Sequence, residues 1–256
     1  MSKFFLKNKN VVYVGGLGGI GIGSCKALLA KGIANLYIVD KQENPNLISK
    51  IQKENQASKI HFCSMDITKP DEIKKCLTDI KDIDVLVNGA GICDDTDVDK
   101  EIAINLTGLI KTTILAFELM DKSKSGSGGV IVNISSIAGL KPMKGKAVYG
   151  ATKHAVVGFS RSLGNDFYLK KTGISVLCIC PGYTETPMAT LENVTKGTFE
   201  YSGDLCKEVL TEKPQSADEM GELLVKIVEI NKNGSVWLCR MGTMEEVVLG
   251  EYEEPK

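Results

Sequence analysis

Tyr149 and Lys153 stand four residues apart in the run Tyr-Gly-Ala-Thr-Lys, with Ser136 thirteen residues upstream. Four residues is about one helical turn, so on a helix the phenol and the ammonium share a face. Tyr ionises near pH ~10, and a neighbouring cation favours the phenolate, which suits the pair to general acid/base work near neutrality. The hydroxyl of Ser136 is then available to hold a substrate oxygen. An isolated Tyr-x-x-x-Lys match carries no function in most proteins. Here the rest of the chain decides what it means.

The N-terminal segment supplies that context. The apolar run Val11-Val12-Tyr13-Val14 leads into Gly15-Gly16-Leu17-Gly18-Gly19-Ile20-Gly21, and a helix-like stretch continues from Ser24 to Ala30. Two overlapping patterns fit the turn, Gly16-x-Gly18-x-x-Gly21 and Gly15-x-x-x-Gly19-Ile20-Gly21. Either leaves backbone N–H groups uncovered at a helix N-terminus, where a pyrophosphate meets donors and the positive end of the helix dipole. A second apolar run, Leu36-Tyr37-Ile38-Val39, ends on Asp40, nineteen residues after Gly21. At that spacing an acidic residue takes the ribose 2′-hydroxyl of NAD. A carboxylate there repels the 2′-phosphate of NADP, so NAD is the expected cofactor, with the adjacent Lys41 as the one opposing charge.

Continuous apolar runs near 10–14, 35–39, 60–65, 84–88, 129–134, 174–180 and 235–239 read as strands buried on both faces of a parallel sheet. Helical patterns near 20–31, 44–55, 70–80, 98–121, 147–171 and 216–230 separate them. The alternation predicts one α/β domain over residues 1–256: a doubly wound, seven-stranded parallel sheet flanked by helices, with ligands beyond the strand C-termini. Gly21, Asp40, Asn88, Ser136 and Pro181 all fall at those ends. The mixed segment 183–215 breaks the rhythm and reads as a substrate lid, with disorder as the alternative.

Further matches appear in order along the chain. Asp66-Ile67 follows the third strand, Asn88-Gly89-Ala90-Gly91 the fourth, and Asn105 lies in Ile-Asn-Leu-Thr-Gly. Asn133-Ile134-Ser135-Ser136 ends the fifth strand, and Pro181-Gly182-Tyr183-Thr184 follows the sixth. With the glycine turn and the Tyr-x-x-x-Lys pair, these residues resemble the short-chain dehydrogenase/reductase family over nearly the whole chain. The segments Asn8–Val11, Asn88–Ile92, Ile104–Gly108 and Asn233–Trp237 look like the insect-type alcohol dehydrogenases and their fat-body relatives, whereas Cys180–Thr186 is also similar to 15-hydroxyprostaglandin dehydrogenases.

The resemblance implies a single-domain Rossmann fold and residue roles. Ser136, Tyr149, Lys153 and Asn105 would be catalytic. The cofactor would be held by Gly15, Gly16, Gly18, Gly19, Ile20, Gly21, Asp40, Asp66, Ile67, Asn88, Gly89, Ala90, Gly91, Tyr149, Lys153, Pro181, Gly182 and Thr184. Within that set Asp66-Ile67 would meet the adenine, Thr184 the nicotinamide carboxamide and Lys153 the nicotinamide ribose, while Asn105 would organise a water chain.

Composition agrees with one enzyme domain. The chain has 256 residues, enough for a large core, and its 43% apolar and 25% charged residues suit a globular protein. A formal charge of −1 gives no electrostatic reason to expect nucleic acid or an anionic membrane as partner. No apolar run reads as a membrane span and the N-terminus lacks a secretory core, so a cytoplasmic location is expected. The eight cysteines are scattered and mostly apolar in context, as buried free thiols are, and His61 and His154 lack ligand-like spacing to them, so neither a disulfide framework nor a metal is expected.

The expected activity is NAD-dependent interconversion of an alcohol and its carbonyl. Small secondary alcohols, terpenoid or farnesyl-type alcohols and prostaglandin-like hydroxy acids all remain open as substrates. A non-catalytic storage or binding protein that keeps the fold is the alternative; the intact set Ser136, Tyr149, Lys153 and Asn105 argues against it. The resemblance implies a homodimer packed through the helices near 98–121 and 147–171; apolar residues around much of the first helix agree with it in part, the alternative being a deeply buried monomeric helix.

Overall fold

The computed structural model describes residues 3–55, 57–207, 211 and 213–250. Seven parallel strands form as the apolar runs predict: β1 (Asn10–Val14), β2 (Asn35–Asp40), β3 (Lys59–Ser64), β4 (Val85–Asn88), β5 (Gly129–Ile134), β6 (Ile174–Pro181) and β7 (Val236–Arg240). The spatial order of these seven is β3-β2-β1-β4-β5-β6-β7. The order reverses between β1 and β4, and at such a switch point the connections leave in opposite directions and open a crevice.

Within β1, alternate side chains enter different cores. Val11 and Tyr13 pack on the face covered by α1 (Gly19–Ala30), α2 (Pro45–Glu54) and α10 (Ala217–Ile230). Val12 and Val14 pack on the other, with α3 (Pro70–Asp79) and α5 (Leu109–Met120). Helices α1 and α10 approach through Gly23 and Gly221, where a Cβ on either would meet the other helix's backbone.

The sheet has an eighth strand that the sequence pattern did not announce. β8 (Thr243–Glu246) pairs antiparallel with β7 through a two-residue hairpin whose Met241 and Gly242 both have positive φ, 52° and 69°. Such a turn matches the twist of the strands it joins. The strand itself, Thr-Met-Glu-Glu, is half exposed and lacks an apolar run. The helix expected over 147–171 is also two: α6 (Ala147–Leu163) stops at Gly164, and α7 (Asp166–Thr172) starts anew where the Asn165 side chain accepts from the Phe167 N–H.

The helix expected at 98–121 runs from Val98 to Met120 as α4 (Val98–Ile102), a π-helical turn (Ala103–Gly108) and α5. It is long and apolar enough to cross a membrane, a property the sequence reading did not credit to any segment. Here it packs against β4, β5, α3 and α6, and it carries the buried polar side chains Glu101 and Asn105 into the fold.

The segment read as a lid folds as short pieces, among them α8 (Leu191–Val194) and α9 (Gly203–Cys206); its residues 208–210 and 212 lie outside the described residues. The cysteines depart in one place from the expected free thiols: Cys63 of β3 and Cys76 of α3 pair as a disulfide, while the other six are free.

Candidate active site

The glycine turn joins β1 to α1 with its backbone bent into close contact. Gly15 has φ +79°, and a Cβ there would lie 2.6 Å from the Ala90 nitrogen, so only glycine fits. A Cβ on Gly21 would collide with the carbonyls of Gly15 and Gly16. The N-cap of α1 is Gly18, and no side chain caps it. The first N–H groups of a helix lack intrahelical partners, so this terminus presents donors and a positive dipole end to the crevice. A Cβ on Gly19 would meet Thr186, which places the base of the lid across the turn.

Asp40 closes the far side of this half. Its carboxylate accepts from the Leu17 N–H at 3.0 Å and the Lys41 N–H at 2.8 Å, which fixes it at the end of β2 beside the turn. The ammonium of Lys41 lies 2.9 Å from Asp66. Asp66 is in turn held down to about pKa 2 by the Thr68 hydroxyl and by Lys41. The cation that could have welcomed a 2′-phosphate is therefore engaged one strand away. The residues present fit a dinucleotide with a free 2′-hydroxyl: a bare helix terminus, glycines that a Cβ would obstruct, and a fixed carboxylate.

The other half is built on β5 and α6. Ser136 follows β5, and its Oγ accepts from the Ala138 N–H at 3.1 Å while hydrogen-bonding the Tyr149 phenol. The helical spacing brings Lys153 to the same side as Tyr149, with Nζ 5.6 Å from the phenol ring centroid and 3.3 Å from the Ile134 carbonyl to which it donates. Asn105 is fully buried in the π-helical turn. Its amide clasps both backbone groups of Ile92, at 2.8 Å each, and donates to Thr152 at 3.3 Å. A Cβ on Gly91 would lie 3.3 Å from Asn105 Oδ1 and 3.4 Å from Lys153 Nζ, so these two polar groups converge on one glycine.

The electrostatics differ from the simple expectation that Lys153 draws the Tyr149 pKa down. Burial of the phenolic oxygen pushes that pKa above its ordinary value; Cys93 beside it adds to the rise, and the hydrogen bond from Ser136 opposes it. Burial likewise lowers Lys153. Lys153 is buried and Tyr149 half-buried, and desolvation of the charged forms dominates both shifts.

Several expected cofactor contacts have other partners. Asn88 turns inward, its Nδ2 donating to Thr113 at 2.9 Å and Asn133 at 2.9 Å, in a buried network that reaches Ser160. It ties β4, β5, α5 and α6 together below the cleft. Thr184 donates to the Gly182 carbonyl and accepts from Gln215, and the Ile67 side chain is in the core. Gly182 and Pro181 are fixed against β7, and Gly89 lies directly over Tyr13. Among the described residues no cluster of three or more metal-ligating side chains forms.

Three charged residues beside the site are buried, each 2% exposed or less: Asp95 and Lys146 fall in the stretches 94–97 and 141–146, where the sequence places substrate specificity, and Glu101 is one that the sequence does not single out. Lys146 donates to the carbonyls of Cys93, Asn193 and Lys196. No local pattern marks them as buried, and only the crossing of three distant segments encloses them.

Alcohol dehydrogenase 1 of Ceratitis cosyra is 44% identical over 252 residues, which span 96% of this chain and 97% of that protein. Fat body protein 2 of Drosophila melanogaster is 36% identical over 245 residues, spanning 93% and 94%. Levodione reductase superposes with a TM-score of 0.78 over 92% of this chain and 97% of its own, at 22% identity, a likeness of fold alone. The family model described as short chain dehydrogenase matches residues 9–197, from the first strand through both halves of the cleft. On that span and on the near full-length identity to its relatives, the chain belongs to the short-chain dehydrogenase family.

Proposed function

We propose that this protein is an NAD-dependent alcohol dehydrogenase that interconverts a secondary or apolar alcohol and its carbonyl. The observation that carries the reading is the convergence of Tyr149, Ser136, Lys153 and Asn105 across the crevice from the uncapped α1 terminus. Its 44% identity to an alcohol dehydrogenase supports the reaction class. The glycine turn would hold the pyrophosphate, Asp40 the adenosine ribose and Lys153 the nicotinamide ribose. When bound, the oxidised cofactor would supply the hydride acceptor. In oxidation Tyr149 would take the hydroxyl proton as the substrate carbon gives up its hydride, with Lys153 on the same side of the helix. Ser136 hydrogen-bonds the same oxygen and stabilises its developing charge. Asn105, held by Ile92, lines the route by which the proton leaves.

Residues 10–246 share one sheet, and we read the chain as a single cofactor-binding and catalytic unit with 183–215 as lid. Exposed Met188, Leu191 and Phe199 on that lid favour an apolar substrate. Val98, Ile102, Leu106, Ala147, Val148 and Ala151 line an apolar groove of about 340 Å³ between α4 and α6, and Val98 and Ile102 are exposed. That groove supports a homodimer. Light scattering at micromolar concentration should give twice the 27.7 kDa of one chain, and a monomer mass would exclude it. For a cytoplasmic location the six free cysteines speak in favour and the Cys63–Cys76 disulfide against.

The deciding experiment is a panel of secondary, terpenoid and hydroxy-acid alcohols incubated with NAD, read by NADH absorbance. At least one class should be oxidised. Tight NAD binding with flat traces throughout would favour a binding or storage protein instead.

A further inference from the structure

The first turn of α6 carries Tyr149, yet the helix does not cap itself. Its N-cap residue, Lys146, makes no side-chain capping bond. The orphan donors are met from elsewhere in the chain. The Ala147 N–H donates to Thr198 Oγ1 at 2.8 Å, the Val148 N–H to Asp95 Oδ2 at 2.8 Å and the Tyr149 N–H to Asp95 Oδ1 at 3.1 Å. Thr198 also donates its hydroxyl proton to Asp95 Oδ2 at 2.7 Å. Asp95 comes from the loop after β4, and Thr198 from the lid.

The lid is held to the same spot by the main chain. The Thr198 N–H donates to the Gly145 carbonyl at 2.9 Å, and buried Lys146 gathers the Asn193 and Lys196 carbonyls of the lid with that of Cys93. Fully buried Glu101 stands beside Asp95, with Oε1 accepting from the Asp94 N–H at 3.0 Å and Oε2 lacking a hydrogen-bond partner. A carboxylate at a helix N-terminus satisfies donors and the dipole together, and here it simultaneously grips the lid.

We propose that Asp95 is a positioning residue that couples lid docking to the placement of Tyr149: one carboxylate fixes the backbone of the acid/base residue and, through Thr198, the lid over the substrate. Docking of the lid completes the cap of α6, so substrate enclosure and alignment of the phenol are one event. Undocking releases the Ala147 N–H and removes one ligand from Asp95, which loosens the turn that bears Tyr149. The inference rests on the dehydrogenase reading for its effect on turnover, and its structural half can be read without turnover.

The test compares Asp95→Asn, Thr198→Val and the double variant. A misplacement near 1 Å costs about 100-fold in rate, so Asp95→Asn should lower kcat by about 10–100-fold while the NAD dissociation constant holds within about twofold. Loss of the single hydroxyl in Thr198→Val, about 1 kcal/mol, should raise KM about fivefold with a smaller fall in kcat. The double variant should resemble Asp95→Asn alone, since the Thr198 bond acts through Asp95. Independently, amide exchange at Val148 and Tyr149 should quicken in Thr198→Val although that residue touches neither amide. An inert wild-type enzyme with quickened exchange would refute the dehydrogenase reading and keep the coupling. Unchanged exchange in Thr198→Val, or strictly additive kinetic effects, would overturn the coupling whatever the activity. Should Asp95→Asn fail to fold, the Thr198→Val exchange and its kcat-against-KM split decide alone.

Discussion

Two helix N-termini face the cleft, and they are finished in opposite ways. That of α1 is bare: glycine at the cap, no side-chain acceptor, and neighbours so close that side chains are excluded. That of α6 is closed by Asp95 and Thr198, which take its first three N–H groups. The same backbone dipole therefore serves two ends. Left open, it is a place for a ligand's negative charge; filled by the protein's own carboxylate, it becomes a rigid mount for a reacting side chain. Removing the reacting group from the closed terminus should spare the ligand, and obstructing the open one should spare the reacting group.

The largest effect is expected at the closed end. Tyr149→Phe removes only the ionisable oxygen and leaves the cap of α6 intact, so kcat should fall about 10²–10⁴-fold with NAD affinity and melting temperature nearly unchanged. Turnover in that variant near the wild-type level would refute the mechanism. At the open end Gly21→Ala brings a methyl group to 2.8 Å from the Gly16 carbonyl and closer still to that of Gly15. The turn must spread, so titration should show NAD affinity lowered about tenfold or more, with overpacking costing about 1–3 kcal/mol of stability. An unaltered dissociation constant would show that the phosphate does not approach this turn.

Much of this contrast is legible in the sequence, for a physical reason. A bare terminus needs glycine at fixed positions, and the Tyr149–Lys153 pair needs one helical turn, so both leave short local patterns. The closed terminus leaves no such pattern: Asp95, Lys146 and Thr198 lie in three stretches distant in sequence, 94–97, 141–146 and the lid, which the sequence offers for specificity without showing that they meet. Asn88 falls at a strand end as expected, whereas its hydrogen bonds to Thr113 and Asn133 join three distant segments and leave no local pattern. The break between α6 and α7 was in principle readable in Gly164-Asn165, a stop followed by a cap, but the apolar periodicity continues across it. β8 hides because its residues are half exposed and its only signal is the Met241-Gly242 turn.

Asp40 refines the open end. Replacing it with Ser removes the carboxylate expected to repel a 2′-phosphate while Lys41 remains engaged by Asp66. The preference for NAD over NADP should narrow, by about tenfold for a change near 1.4 kcal/mol, as read from the ratio of kcat/KM values with the two cofactors. Equal use of both by the native protein would remove Asp40 from its assigned place.

The smallest expected effect separates the two termini by their response to pH. Nothing titratable caps α1, whereas Asp95 at α6 has Glu101 beside it. Burial raises the Glu101 pKa to about 7 from 4.5; the Asp94 N–H opposes the rise, Asp95 adds to it, and Lys146 opposes it. The folded protein therefore holds this proton more tightly than the unfolded chain. Below about pH 4.5 both states are protonated; between there and about 7 only the unfolded state has lost the proton, so the contribution to stability falls as pH rises through that window and is flat above it. Glu101→Gln keeps an acceptor for the Asp94 N–H, offers N–H donors toward Asp95 and cannot ionise. Its melting temperature should exceed that of the wild type by a few degrees at pH 8 and lose the advantage toward pH 4.5, a shift readable in melts taken at steps of one pH unit. Parallel curves for the two proteins would mean that Glu101 does not carry the proton, and that the closed terminus is as indifferent to pH as the open one.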